Sequence, residues 1–146
     1  MKSVRSIEQN NKISKEEVKS RGCSSEQFPW ISFKSMTKNS KYNLSKLKDG
    51  KEREQTLLGV YSRLLELSMQ PWLYWNGMRK KTGLETLYYE DLNFDANATL
   101  SKDTTIYVFR FDSYHGSGRI LGYKTSPCAV FHIIGYDLDF SAYNHG

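Results

Sequence analysis

Apolar and polar positions along this 146-residue chain fall into stretches of different period, and the changes of period mark its elements. Residues 1–26 are polar, mixed in charge and poor in aromatics. Such a segment has too little apolar surface to offset the entropy of ordering, which predicts a flexible polar tail. Within it, Ser14 and Glu17 have capping-box spacing, with Val18 as the apolar residue available for docking. At Phe28 the composition changes. FPWISFKSM interleaves large apolar and small polar residues and predicts an N-terminal strand, with Pro29 near its start. In the lysine-rich connection that follows, KYNL reads as a second short strand ending before the turn at Asp49-Gly50.

From Lys51 to about Gln70 the period becomes helical: Leu57, Leu58, Tyr61, Leu64, Leu65 and Ser68 recur at three- and four-residue steps, and Val60 and Leu67 widen the apolar face. Pro71 suits the first turn of a second helix, which places Trp72, Trp75 and Met78 on one face and is expected to end near Gly83. At that spacing Trp72 and Trp75 are core residues, while Tyr74 can stay exposed. LETLYYEDLNF alternates imperfectly, so helix and strand both remain open there. TIYVFRF, the stretch from Arg119 to Lys124, and CAVFHIIGYDL are β-rich runs separated by short turns. The expected architecture is an α+β fold. A helical hairpin packs on one face of an antiparallel β-meander, with an extra N-terminal strand, in a single domain over 27–146 behind a tail over 1–26.

Twenty aromatic residues (ten Tyr, seven Phe and three Trp) let few side chains carry much of the core. The formal net charge of +5 is unevenly distributed: residues 34–53 hold seven basic residues against Asp49 and Glu52. Lys34, Lys38, Lys41, Lys46 and Lys48 in this stretch are candidate nucleic-acid contacts, since lysines release counterions on meeting phosphate. A solvated loop explains them equally. Cys23 and Cys128 lie far apart, and His115, His132 and His145 show no ligand-pair spacing, so no metal or other cofactor is expected. Beside an apolar strand, Cys128 reads as a small buried hydrophobe. No apolar run reaches signal-peptide or membrane-spanning length, which predicts a cytoplasmic protein without a membrane partner. Phosphate-loop, HExxH and GxSxG motifs are absent.

The run TIYVFRF…SGRILGYK…AVFHIIGYDLDFSAY resembles the C-terminal half of the RelE/ParE superfamily of small bacterial toxins, in which a helical hairpin precedes a three-stranded meander and a short tail. The resemblance covers the order of elements over 51–146 and the residue pattern over 104–143. It implies that Arg110 and Arg119 hold a scissile phosphate and that Tyr143 or His145 assists proton transfer, a division of labour that suits a developing phosphorane. This sequence departs from those toxins at Asp137 and Asp139, where a basic residue is common and a carboxylate would repel phosphate. The chain also resembles a group of small bacterial and mobile-element proteins of no established activity. Trp30, Phe33, Leu64, Leu65, Ser68, Phe131, Asp137 and Tyr143 match that group in order, and Phe140 replaces its histidine.

Two functions follow. The first is a mobile-element or phage-type binding protein that engages a host protein or nucleic acid, with Trp72, Tyr74 and Trp75 as interface anchors. The alternative is a RelE-like, metal-independent endoribonuclease acting on mRNA, at the ribosome, with an antitoxin as protein partner. The tail assignment yields the first expected outcome. Deleting residues 1–26 changes the thermal midpoint by less than about 5 °C, the shift that roughly 1 kcal/mol produces in a domain of this size, and a scanning calorimetry trace checks it.

Overall fold

A computed structural model describes residues 27–77, 84–125 and 130–144. The polar tail, Met78, Cys23, Cys128, His145 and the expected end of the second helix near Gly83 lie outside the described residues. The elements are β1 (Trp30–Ser32), α1 (Lys51–Met69), α2 (Trp72–Asn76), β2 (Leu84–Tyr88), a 3-10 turn (Tyr89–Asp91), β3 (Thr105–Ser113), β4 (Gly116–Lys124) and β5 (Val130–Asp137).

The strands form one five-stranded sheet in the order β1-β5-β4-β3-β2. β3, β4 and β5 make the expected antiparallel meander, and β1 is the expected N-terminal strand, but it joins β5 in parallel, so the sheet is mixed. LETLY, left open between helix and strand, is β2 and pairs antiparallel with β3. Its alternation is functional in the packing sense: Leu84 enters the core under the helices, while Leu87 packs with the opposite cluster.

The KYNL strand does not form, because this segment does other work in the core. Thr37 N–H donates to Ile134 O at 2.8 Å, and Tyr136 N–H donates to Tyr42 O at 2.8 Å, so the connection holds to β5 beyond the end of β1 without building a ladder. Tyr42 turns inward and stacks on Phe94 with ring centroids 4.5 Å apart.

Both faces of the sheet are buried, which explains why β3 to β5 read as nearly continuous apolar runs. On one face Phe109, Phe111, Ile120, Phe131 and Ile133 meet Val60, Leu67, Trp72 and Trp75 from the helices. The helical pair covers that face as expected. The second layer was not anticipated: Tyr42, Phe94, Ala142 and Tyr143, all from connections and the C-terminal segment, close over Ile106, Val108, Leu121 and Ile134.

α1 matches its expected span, and of its expected apolar face Val60, Leu64 and Leu67 meet the core while the rest does not. Thr56, Val60 and Leu67 are buried, whereas Leu57, Leu58, Tyr61 and Leu65 are exposed. The cause is the closeness of the helix to β3. A Cβ added at Gly59 would lie 1.8 Å from the carbonyl oxygen of Asp112, so the helix backbone meets the strand backbone at a residue without a side chain. Small Thr56, Gly59 and Val60 permit that approach; the leucine-rich face would hold the helix away. Arg63, one turn on, also points inward, with its guanidinium 5.2 Å from the Trp75 ring centre and its Nη1 donating to Glu66 at 2.8 Å.

α2 spans Trp72–Asn76 among the described residues. Trp72 and Trp75 are buried and Tyr74 is exposed, as their spacing predicts. Trp75 Nε1 donates to the carbonyls of Leu67 and Gln70 at 3.1 and 3.2 Å, satisfying orphan acceptors at the end of α1 and fixing the turn between the helices.

The rotated face of α1 has a measurable consequence. Leu67→Ala is expected to cost about 2–5 kcal/mol in urea unfolding, and Gly59→Ala about 1–3 kcal/mol or more from overpacking. Leu65→Ala should cost less than about 0.5 kcal/mol, as for an exposed position. A large loss at Leu65 with none at Leu67 would place the opposite face inward.

Candidate functional site

The register of the meander puts Arg110 directly opposite Arg119, and Arg119 opposite Asp137. Arg110 has the same parity as Ile106 and Val108, so it and Arg119 lie on the sheet face away from the helices. Glu85 on β2 pairs with Val108 and shares that face. The ladder thus collects Glu85, Arg110, Arg119 and Asp137 on one side of the sheet, where like-charged arginines are offset by acids from the flanking strands.

The C-terminal segment closes over this cluster. Asp137 is fully buried and acts as the hinge pin of the turn: its Oδ1 accepts from the amides of Asp139 and Ser141 at 3.3 and 3.1 Å, and its Oδ2 from the amide of Ala142 at 3.2 Å. Within the turn Phe140 takes a positive φ of 61° and sets its ring 4.4 Å from the Arg119 guanidinium. The segment then delivers Tyr143, whose hydroxyl donates to Glu85 Oε1. Arg119 Nε lies 3.6 Å from the same carboxylate oxygen, an ion pair at a separation beyond hydrogen-bond length. Arg119 and Tyr143 are both buried.

Electrostatics follow from this enclosure. Burial raises the phenol of Tyr143 well above the ordinary tyrosine range; its hydrogen bond to Glu85 and the charge of that carboxylate add to the shift, and Arg119 partly opposes it. Its proton is committed to Glu85. Burial alone pushes Tyr136, on the helix side of β5, up to about 12. Asp139 is held below the usual carboxylate range chiefly by the Ser141 hydroxyl, with Lys41 contributing.

The residues implied by the toxin resemblance therefore divide. Arg119 and Tyr143 are brought together, and Arg110 is adjacent by register, half-buried. His145 is outside the described residues. Asp137 lies opposite Arg119, and both of its oxygens accept from amides of the tail turn. Glu85 and Phe140 complete the cluster and were not anticipated. The signal for Glu85 was its alternation with Leu84 and Thr86, which remained ambiguous until LETLY was known to be a strand.

Lys34, Lys38, Lys41, Lys46 and Lys48 are all exposed. Their connection is anchored rather than free: the Ser35 and Tyr123 hydroxyls are hydrogen-bonded at 2.7 Å, and Thr37 Oγ1 donates to Asp95 O at 2.6 Å. Lys41 pairs with Asp139 at 3.6 Å and lies over the Tyr42 ring, so part of its charge is used within the fold. A cleft of about 560 Å³ runs between α1 and β3, with Arg63 and Glu66, paired at 2.8 Å, in its lining.

The largest departure from an ordinary solvated surface is on α1. Leu57, Leu58, Tyr61, Leu65 and Met69, followed by Leu73 on α2, are 44–65% exposed. Those on α1 lie at helical spacing on the side opposite the buried Thr56, Val60 and Leu67, and Leu73 follows beyond the extended Gln70 and Pro71. Among the described residues no group of three or more His, Cys, Asp or Glu side chains is placed to hold a metal ion, and no helix is long and apolar enough to cross a membrane. No family model, curated protein or solved structure matches the chain.

The raised tyrosines give a pH dependence of definite sign. Above pH ~10 the unfolded chain loses phenolic protons that Tyr136 and Tyr143 retain in the fold, so stability present below that pH declines as pH rises. Each tyrosine contributes a slope of at most about 1.4 kcal/mol per pH unit, ending for Tyr136 near 12. Tyr143→Phe is expected to flatten the decline between pH 10 and 12 in urea titrations, and an unchanged slope would remove Tyr143 from the buried network.

Proposed function

We propose that this chain is a binding protein that engages a protein partner through the outer face of α1 and α2. The observation that carries the reading is the uncharged apolar stripe from Leu57 to Leu73, since contiguous exposed apolar surface on a folded domain marks a docking site. Tyr61 and Tyr74 add the rigid aromatic area typical of interface anchors. Trp72 and Trp75 serve the core instead.

The same reading accounts for the arginine cluster. A ribonuclease of the RelE type needs its cations and its proton donor open to RNA, whereas Arg119 and Tyr143 are buried, with Glu85 shared between them and Phe140 stacked on the guanidinium. A phenol pushed upward and bonded to a carboxylate is a poor proton-transfer group near neutral pH. The cluster's role is to lock the C-terminal segment onto the sheet.

Site-specific photo-crosslinking tests the proposal. The full chain, carrying a photoreactive residue at position 61 or at exposed position 114, is irradiated in its own cell extract. Protein adducts are expected from position 61 and not from 114, and a second substitution, Leu65→Glu, should reduce them at least about tenfold. Wild-type protein is also incubated with RNA, with and without translating ribosomes, and no cleavage is expected. Absence of adducts at position 61 would overturn the docking face. RNA cleavage lost by about tenfold in a folded Arg119→Ala variant would establish the ribonuclease alternative instead.

A further inference from the structure

We infer that the occupant of the α1 face is a second copy of this chain, packed about a twofold axis with the two α1 helices antiparallel. This deepens the protein-docking proposal and rests on it.

Area is the first argument. The exposed portions of Leu57, Leu58, Tyr61, Leu65 and Met69 on α1 together amount to roughly 600 Å², at the top of the ~300–600 Å² range for the largest apolar patch on a typical monomer, and Leu73 on α2 brings the total to roughly 700 Å², close to the ~800 Å² each partner buries in a standard interface. Flanking Ser62, Ser68 and Gln70 are also exposed and enlarge the footprint. A stable dimer therefore needs little surface beyond the helix itself.

Charge is the second. Between Gln55 and Gln70 the charged residues are Arg63 and Glu66, and neither lies on the stripe. Arg63 is drawn inward against Trp75 and Phe109, and Glu66 is bonded to it at 2.8 Å. A surface designed for a basic or acidic partner would carry complementary charge. An uncharged stripe instead meets its own copy without like-charge repulsion, as a twofold interface requires.

Geometry is the third. The stripe repeats at three- and four-residue steps along a helix of 19 residues, the pattern that packs against another helix. An axis passing between Tyr61 and Ser62 sets Leu58 of one copy against Leu65 of the other, and Tyr61 at the centre where the best-excluded contacts form. Burying this face would give α1 apolar contacts on both sides, which accounts for the leucines that the monomer leaves in water.

Sedimentation velocity on the full chain tests the inference. Wild type is expected to shift from monomer to dimer as concentration rises to about 100 µM, a range that detects even moderate association. Leu65→Glu should weaken dimerisation at least about tenfold while retaining the wild-type circular dichroism spectrum, and Trp30→Glu, at an exposed position on β1, should not. A wild type that stays monomeric throughout, a Leu65→Glu dimer of undiminished strength, or equal weakening by Trp30→Glu would each overturn the second copy as occupant. The two levels separate through the crosslinks: adducts at position 61 that contain a different protein, with a monomeric wild type, leave partner docking standing and remove self-association.

Discussion

The sheet is apolar on both faces, and one long helix with a short continuation can cover only one of them. That constraint organises the molecule. α1 and α2 take the face built around Phe109, Phe131 and Ile133. The other face is closed by segments without regular structure, through Tyr42, Phe94, Ala142 and Tyr143. Such segments bring backbone groups that need partners, and the fold supplies them. Ile134 and Tyr136 on β5 receive the connection after β1, Asn93 N–H donates to Ala142 O at 2.7 Å, and Asp137 gathers the tail amides.

The arginine cluster is the polar counterpart of this closure. Burying Arg119 without a counter-charge would be costly, and Glu85 and the Phe140 ring offset that cost. Tyr143 then satisfies the same carboxylate while its ring joins the apolar layer. One residue thus ties the end of the chain to β2, two strands away from β4 in the sheet order. Arg119, Glu85 and Tyr143 hold one another where the C-terminal segment closes on the sheet.

Much of the fold was legible because long periodic segments determine their own structure. α1, the meander, β1 and the buried pair Trp72 and Trp75 follow from period, turn residues and aromatic spacing. What was not legible depended on contacts distant in sequence. KYNL has strand-like composition, but the face over Ile134 needed an aromatic plug, and Tyr42 supplies it against Phe94. LETLY could be resolved only by its partner β3. In the cluster, Arg110 and Arg119 were found by strand position, while Glu85 and Phe140 were hidden in a segment of ambiguous period and in a tail turn.

The face of α1 is the most instructive discrepancy, because Val60, Leu64 and Leu67 of the expected apolar face meet the core while Leu57, Leu58, Tyr61 and Leu65 do not. Apolar residues occupy more than half the circumference of this helix, a broader arc than contact with one face of the sheet requires. Within a single chain the side with Gly59 wins, since backbone-to-backbone approach at Asp112 O brings α1 closer to β3 than any leucine would allow. Leu57, Leu58 and Leu65 are left exposed on the far side of the helix. A helix that meets its own sheet through small residues leaves its large ones outside, and the apolar content of α1 exceeds what its contact with one face of the sheet takes up.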